Sequence, residues 1–403
     1  MKTIEINTLH PGMIFSAPVY IEGNNLLVPE GVAIRKKDID RLISWGYHTV
    51  STEGDVVTAA AAAEEEVLEL IPLDESSGDT GSESAKKQNS GSVPSLAEVQ
   101  ENKGAYRSYV DLIDRLDSVF FSISTGISVE PWTVNNMVTK LLQTVRDERN
   151  SIIGFILGGE VSGHMMAKSS VNTAILSALI AMELKLAHHK IMQIVTGALL
   201  HDVGMLKLPR EIIEKSGGLS EAELQRIQAH PLHAYKIITR ELMYPEDVGI
   251  IALQHHERWN GEGYPQRISG VSIDMGARIV SVADAFEAMV SEKPYRNSMI
   301  GYQAMKNLLA DNSRRFDPDV LKAFIKTMGI YPIGSIILLN NGSIARVMEV
   351  QKEAPLRPRI RVLIDECGKM YRPDEGEIID LLTEKSIFIS QALDPKEISK
   401  KRD

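Results

Sequence analysis

The segment "LLHDVGMLKLP", residues 199–209, decides the fold of this chain. An apolar run ends here in a histidine, His201, which is followed directly by an aspartate, Asp202. Upstream, in "HKIMQIVTGALLHD", apolar residues recur every three or four positions, a pattern typical of a helix with a buried face. The segment therefore places two polar, metal-binding side chain types at the end of an apolar helix.

The same helical periodicity continues over residues 105–328, so we predict a mainly α protein with one helical bundle domain there. Residues 1–57 combine short apolar runs, Gly and Pro with one helical pattern, which predicts a small N-terminal α/β unit. Residues 331–396 have strand-like composition around an Asn-Gly turn, which predicts a small C-terminal β unit. Residues 58–104 are predicted to be a flexible linker, because their Gly, Ser and charge-rich part cannot bury a core.

The composition excludes several classes of protein. The chain has 403 residues and a formal net charge of −10, which argues against binding to a nucleic-acid polymer. Cys367 is the only cysteine, so there is no internal disulfide framework and no Cys-rich zinc site, and a reducing cytoplasm is expected. The longest apolar stretch, residues 173–187, contains Glu183 and Lys185 and is too short and too charged for a membrane span.

Histidine and aspartate residues recur at regular intervals within the helical block. Asp202 and His230 are 28 residues apart, His230 and His255 are 25 apart, and His256 and Asp284 are 28 apart. Each interval fits one helix, a turn and part of the next helix, so successive helices can direct ligands to one point. The predicted metal ligands are His201, Asp202, His230, His255, His256 and Asp284.

Nitrogen and oxygen ligands without a thiolate suit iron, manganese or zinc. An aspartate directly after a histidine can bridge two ions, and two ions about 3.5–4 Å apart support phosphoester hydrolysis. Each residue alone has a simpler interpretation: a single histidine can be a hydrogen-bonded core residue, and Asp284 can pair with Arg278. His188 and His189, which precede a helix, are predicted to lie on the surface.

The sequence "HHERWNGEGYP", residues 255–265, resembles the signature of the HD-GYP family. "HDVG", "HPLHAYKII", "ARIVSVADAFEAMVSEKPYR" and "FDPDV" resemble the flanking motifs of that family, in the same order. The resemblance covers residues 160–328. It implies an HD-type helical bundle and a metal-dependent phosphodiesterase that opens the bacterial messenger cyclic di-GMP to a linear dinucleotide or GMP.

The resemblance also assigns roles to individual residues. It implies two metal ions, with iron or manganese favoured over zinc, and His201 and Asp202 as catalytic residues. One ion would be held by His201, Asp202 and Asp284, and the other by Asp202, His230, His255 and His256. The substrate would contact the loop of Gly263, Tyr264 and Pro265 and the basic residues Lys293 and Arg296, whose alternative interpretation is a solvated helix end.

Two residues depart from the family pattern. Ser169 stands where family members usually have a histidine, which leaves the first metal with three protein ligands. Met205 stands where they usually have a lysine, and methionine cannot donate a hydrogen bond to a phosphate. Lys207 is expected to point elsewhere, and His164 is off register by 140° around the helix, which makes it a poor substitute ligand.

These departures leave a second interpretation open. The domain would then be degenerate and non-hydrolysing, and it would act as a cyclic di-GMP sensor or a protein-interaction module. A third interpretation is hydrolysis of another nucleotide, as in the wider HD superfamily. The sequence does not decide whether a second copy of the chain or a signalling protein binds to it, or which signal the N-terminal unit reads.

The predicted linker can be tested by limited proteolysis. Residues 75–95 should be cut before other segments, because they lack the large apolar side chains that hold a segment in a core. A fragment beginning near residue 100 should keep its helical circular dichroism and its metal. Resistance of residues 75–95 at protease levels that cut other loops would show that this segment is docked.

Overall fold

The computed structural model describes residues 2–10, 13–21, 25–28, 34, 39, 42, 49–57, 103–158, 164–213, 215, 218–291, 300–310, 314–372 and 374–394. The chain divides into two units, Met1–Lys87 and Gln88–Asp403. Nearly all of the linker predicted over residues 58–104 lies outside the described residues, as does most of the helix expected before Gly46.

The N-terminal unit contains six described strands: β1 (Lys2–Glu5), β2 (Ile14–Phe15), β3 (Val19–Ile21), β4 (Asn25–Val28), β5 (Thr49–Thr52) and β6 (Val56–Val57). Four of them form an antiparallel sheet in the order β1-β5-β3-β4, and β2 pairs with β6. Apolar side chains from the sheet and from residues 34, 39 and 42 form its core.

The described residues of the second unit form twelve α-helices before its sheet: α1 (Lys103–Thr125), α2 (Pro131–Asp147), α3 (Arg149–Gly158), α4 (Met165–Glu183), α5 (His188–Leu200), α6 (Arg210–Ile213), α7 (Glu221–Ile227), α8 (His230–Lys236), α9 (Glu246–Gln254), α10 (Met275–Val290), α11 (Gly301–Ala310) and α12 (Pro318–Met328). Their buried apolar side chains form one continuous core. The prediction of a mainly α fold is confirmed.

Helix α4 lies at the centre of the bundle. It contacts α1, α5, α10 and α12, and its residues from Ser169 to Ala181 are all buried. By length and composition α4 could cross a membrane, but 78% of its apolar window is buried inside the protein. Burial of this kind is what a bundle requires of a helix that is apolar on all sides.

The chain turns sharply after α5. A 3₁₀ turn over Val203–Lys207 follows Asp202 and packs against α8. Gly204 permits this contact, since a Cβ at Gly204 would lie 2.0 Å from the carbonyl oxygen of His230 and 2.6 Å from the backbone nitrogen of Ala234. The glycine of "HDVG" therefore allows Asp202 and His230 to approach each other.

A five-stranded antiparallel sheet follows the bundle, formed by β7 (Ile336–Leu339), β8 (Ile344–Glu349), β9 (Arg359–Ile364), β10 (Ile378–Asp380) and β11 (Ile389–Leu393). The strand order is β10-β9-β8-β7-β11, with the Asn-Gly turn between β7 and β8. A separate apolar cluster forms its core. The expected C-terminal β structure is present.

Substitution of Gly204 tests the close contact between the 3₁₀ turn and α8. Gly204→Ala should lower the free energy of unfolding by about 1–3 kcal/mol, because its methyl group would overlap backbone atoms of α8. Gly218→Ala is the matched control, since nothing lies within 4 Å of its added methyl group. Urea titration followed by circular dichroism measures both. Equal unfolding midpoints for the two variants would show that the contact is not tight.

Candidate metal centre and adjoining cavity

Three helix termini and the middle of a fourth helix meet at one point in the bundle. His201 and Asp202 follow α5, His230 begins α8, and His255 and His256 follow α9. Asp284 lies within α10. One ligand atom from each of Asp202, His230, His255 and His256 lies within 4.8 Å of the others. We call these four residues and their neighbours His201 and Asp284 the His/Asp cluster.

Asp202 lies between the two sides of this cluster. Its Oδ1 is 3.2 Å from Nε2 of His230 and 3.9 Å from Nε2 of His255. Its Oδ2 is 3.4 Å from Nε2 of His201, which in turn is 3.7 Å from Oδ1 of Asp284. The two oxygens of one carboxylate thus face different groups of candidate ligands.

Backbone hydrogen bonds fix the orientation of three imidazoles. In His201, His230 and His255, Nδ1 lies 2.7 Å from the carbonyl oxygen three residues earlier in the chain. A carbonyl oxygen only accepts, so each Nδ1 carries the proton and donates it. In the neutral ring the Nε2 lone pair then faces the cluster, the arrangement that metal-binding histidines adopt.

The facing lone pairs require a proton or a metal ion between them. Nε2 of His230 and Nε2 of His255 are 3.4 Å apart, and in the neutral rings neither has a proton to donate. Nε2 of His201 is buried and has no hydrogen-bond partner in the described part of the chain. Buried polar atoms without partners are costly. The donor set fits a divalent metal ion, which satisfies such atoms at once.

The electrostatics of His255, His256 and Asp202 agree with this chemistry, whereas at His201 the carboxylates of Asp202 and Asp284 outweigh burial and hold the pKa well above its usual value, so that a metal ion at this ring would replace a proton. Burial, together with the neighbouring imidazoles, holds the pKa of His255 and His256 well below the usual value, so both rings are neutral. Burial disfavours the charged form of Asp202, but His201 and His230 outweigh it and hold its pKa well below the usual range. Neutral imidazole and ionised carboxylate are the forms that bind metals.

The loop of Gly263, Tyr264 and Pro265 folds back on the paired histidines. A Cβ at Gly263 would lie 2.4 Å from the backbone nitrogen of Arg258, so only glycine allows this approach. The backbone nitrogen of Tyr264 donates to the carbonyl oxygen of His256 at 3.2 Å. The two aromatic rings are 4.8 Å apart between centroids. The loop therefore forms a wall beside the cluster.

Glu257 stabilises this loop through hydrogen bonds to its backbone. Its side chain is 2% exposed, and Oε1 accepts hydrogen bonds from the backbone nitrogens of Gln266 at 2.6 Å and Arg267 at 3.1 Å. This role of Glu257 was not predicted from the sequence. An acidic residue directly after two histidines was the available signal, but its partners depend on how the loop folds.

A cavity of about 530 Å³, partly open to solvent, adjoins the cluster. Its lining residues are His255, His256, Glu257, Arg258, Tyr264, Ser281, Asp284 and Arg315. Arg258, Ser281 and Arg315 were not predicted from the sequence. Arg315 lies far from Arg258 along the chain. In the sequence, the only indication of its place at the cavity is the pair of arginines before "FDPDV".

The structure shows where the two departures from the family pattern lie. Ser169 is buried, and its hydroxyl donates to Oε2 of Glu287 at 2.6 Å. Met205 is half-buried in the 3₁₀ turn. Lys207 points away, with Nζ 3.5 Å from Oε1 of Glu241. Neither position therefore supplies an imidazole or a cation to the cluster.

Other candidates from the sequence lie elsewhere. Nδ1 of His164 is 2.8 Å from Oδ2 of Asp117, so this ring is held outside the cluster. Arg278 pairs with Asp317 at 2.7 Å, which leaves Asp284 to the cluster. His188 and His189 are exposed, as predicted, and Lys293 and Arg296 lie outside the described residues.

Two family models match this chain. An HD domain matches residues 160–320, and a KOW domain associated with HD domain matches residues 336–401. The first range contains the whole His/Asp cluster and the cavity. The second range contains the five-stranded sheet.

Two curated relatives are also similar to this chain. Cyclic di-GMP phosphodiesterase PdeB of Borreliella burgdorferi is 31% identical over 57% of this chain and 60% of its own length. A cyclic di-GMP phosphodiesterase of Pseudomonas aeruginosa is 27% identical over 66% of this chain and 63% of its own length. The chain thus spans less than two thirds of these relatives. A solved HDG"Y"P protein from Bdellovibrio bacteriovorus is 16% identical over 80% of this chain and 97% of its own, with a TM-score of 0.46.

Replacement of the paired histidines tests the metal site. Protein with both His255→Ala and His256→Ala should lose its bound transition metal, because half of the closely grouped ligand atoms are removed. His188→Ala with His189→Ala is the matched control, since this second histidine pair is exposed. Elemental analysis of the purified proteins gives the answer. Equal metal content in parent and His255/His256 variant would refute the assignment.

Proposed function

We propose that the protein is a metal-dependent phosphodiesterase. Its substrate would be cyclic di-GMP, and its product a linear dinucleotide or GMP. An HD domain matches residues 160–320, and this range contains a sequence that resembles the HD-GYP signature. The similarity to cyclic di-GMP phosphodiesterases of other bacteria supports this substrate.

One observation carries the proposal: the ligand atoms converge at the wall of an open cavity. His255, His256 and Asp284 belong to the cluster and also line the cavity. A phosphodiester in the cavity therefore reaches the ligand atoms directly. A metal buried only for structural reasons would have no such opening.

We propose two divalent ions, with Asp202 shared between them. Its Oδ1 faces His230 and His255, and its Oδ2 faces His201, which supports one ion on each side. Nitrogen and oxygen donors without a thiolate suit iron, manganese or zinc, and the resemblance to the HD-GYP family favours iron or manganese. Divalent ions bound here would acidify water and withdraw charge from a phosphoryl oxygen.

The protein's own residues orient the substrate and the ligands. The backbone-bonded imidazoles hold the ligand geometry before substrate arrives, so no reorganisation is needed during reaction. Gly263, Tyr264 and Pro265 shape the cavity wall next to His256. The family resemblance adds Lys293 and Arg296 as phosphate-binding residues.

A second function has an observation in its favour. The Ser169 hydroxyl donates to Glu287, and Met205 offers no donor to a phosphate. Both features favour a degenerate domain that binds cyclic di-GMP or a protein partner without hydrolysis. The complete Asp202, His230, His255 and His256 group favours the enzyme.

We propose the cytoplasm as the location, since cyclic di-GMP is an intracellular messenger in the family that the sequence resembles. The single cysteine, Cys367, is free and exposed, which is compatible with a reducing compartment. The proposed protein partner is a second copy of the chain, in a homodimer, or a signalling protein.

Direct assay of the reaction separates enzyme from sensor. Purified protein with Mn or Fe(II) should convert cyclic di-GMP to linear dinucleotide or GMP, in proportion to protein concentration. Asp202→Asn should abolish conversion, because it weakens the carboxylate shared by both proposed ions. Chromatography of the nucleotides is the measurement. Tight binding of cyclic di-GMP without any product would favour the sensor.

Repair of the two departures tests whether they limit catalysis. Met205→Lys should raise turnover by about 10- to 150-fold if its charge-assisted hydrogen bond forms in the transition state. Ser169→His should raise metal occupancy, but it should also lower stability because it removes the hydroxyl that donates to Glu287. The double variant should be faster than either single one.

Metal content, turnover of cyclic di-GMP and urea unfolding of the parent and three variants check this prediction. Lys207→Met is the control for the loss of a lysine on the same 3₁₀ turn, since Lys207 pairs with Glu241 away from the cluster. A parent that already binds two metals, with a double variant no faster, would show that the two departures are not defects.

A further inference from the structure

The cavity beside the His/Asp cluster is lined by two chemically different sets of residues. One set comprises the cluster members His255, His256 and Asp284 and the neighbouring carboxylate of Glu257. The other set comprises the two arginines, Arg258 and Arg315. In a chain with a net charge of −10, two cationic residues at the same cavity as candidate metal ligands suit a ligand with negatively charged groups.

The backbone holds the two arginines in place relative to each other. The backbone nitrogen of Trp259, next to Arg258, donates to the carbonyl oxygen of Arg315 at 3.0 Å. Asn260 makes the same bond to Arg314 at 2.9 Å. The segment after "HHE" and the segment before "FDPDV" therefore form a short two-stranded contact, which brings together residues far apart in sequence.

Further contacts stabilise each segment. The guanidinium of Arg278 pairs with Asp317 at 2.7 Å and lies 5.8 Å from the centre of the Trp259 ring. Asp317 also accepts hydrogen bonds from the first backbone nitrogens of α12. Cζ of Arg315 lies 5.0 Å from the centre of the Phe316 ring. The two segments are anchored to α10 and α12 and not only to each other.

The arginines and the cluster residues meet at a single cavity. Tyr264 also lines it, and its ring centroid lies 4.8 Å from that of His256. Arg258 follows the paired histidines His255 and His256 after a single intervening residue. One ligand in the cavity can therefore contact both sets of residues.

The chemistry of a cyclic dinucleotide matches this division. Its ring contains two phosphodiesters, and only one of them can lie at the metal ligands during a single cleavage. The second phosphodiester keeps its negative charge and requires a cation. Arginine presents a planar fork of donors that binds phosphate oxygens in pairs.

We propose that Arg258 and Arg315 form a clamp for the phosphodiester that is not being cleaved. The clamp rests on the proposed function, because it takes a cyclic dinucleotide as the ligand. It sets the orientation of the ring, so that the other phosphodiester faces the His/Asp cluster. The two arginines are positioning residues for the substrate and lie outside the metal ligand set.

Binding to the full-length protein without metal tests the clamp apart from hydrolysis. Calorimetry with cyclic di-GMP should show a roughly 10- to 100-fold loss of affinity for Arg258→Ala and for Arg315→Ala. Arg258→Lys and Arg315→Lys should keep part of the affinity, because the charge remains and the paired geometry is lost. Arg226→Ala, an exposed arginine on α7 that does not line the cavity, should bind like the parent.

Two further ligands distinguish a phosphate clamp from other roles. Cyclic di-AMP should lose affinity by a similar factor in both alanine variants, since it has the same phosphodiesters. Bis(p-nitrophenyl) phosphate contains only one phosphodiester. With metal present, the two alanine substitutions should therefore change its kcat/KM less than threefold, whereas they should lower kcat/KM for cyclic di-GMP at least tenfold.

Several results would overturn the clamp: affinities equal to that of Arg226→Ala, a loss confined to cyclic di-GMP, or equal losses for the single phosphodiester. A loss confined to cyclic di-GMP would assign the arginines to the guanine bases. If the parent protein binds cyclic di-GMP but forms no product, the proposed phosphodiesterase is refuted and the proposed clamp is not. Normal turnover of cyclic di-GMP in the parent and in both alanine variants would overturn the clamp but not the phosphodiesterase. A parent protein that neither binds nor cleaves cyclic di-GMP would overturn both.

Discussion

The candidate metal centre depends on one close contact inside the helical bundle. Nε2 of His230 and Nε2 of His255 face each other at 3.4 Å, and both rings donate their Nδ1 protons to the backbone. Two lone pairs at this distance repel unless a proton or a metal ion lies between them. Helices α5, α8, α9 and α10 pack so that Asp202 and its neighbours surround this point. A bound metal ion would remove the repulsion and stabilise the folded protein.

The same arrangement links the fold to the proposed chemistry. The close packing at Gly204 brings Asp202 next to His230, and the glycine at 263 lets the loop lie against the paired histidines. Glu257 then fastens that loop through two backbone nitrogens. The result is a cavity lined by three residues of the His/Asp cluster, a tyrosine and two arginines. The proposed ligand, a cyclic dinucleotide with two phosphodiesters, would match both the cluster and the arginines.

Much of the fold and of the cluster was predictable from the sequence, because both follow from local periodicity. Apolar residues at helical spacing predicted the bundle, and the regular intervals between Asp202, His230 and His255 predicted that successive helices would meet. The roles of Glu257 and Arg315 were not predictable in this way. They depend on backbone contacts between distant segments, as in the bond from Trp259 to Arg315, which leave no periodic signal. The positions of Lys293 and Arg296 stay predictions.

Anomalous X-ray scattering from crystals of the protein, purified with its own metal, tests the central claim most directly. Data collected on both sides of the iron and manganese absorption edges locate and identify the ions. The account predicts two peaks about 3.5–4 Å apart with Asp202 between them, one near His230 and His255 and the other near His201 and Asp284. Fully occupied crystals with a peak elsewhere, or with no peak within ligand distance of His230 and His255, would contradict it.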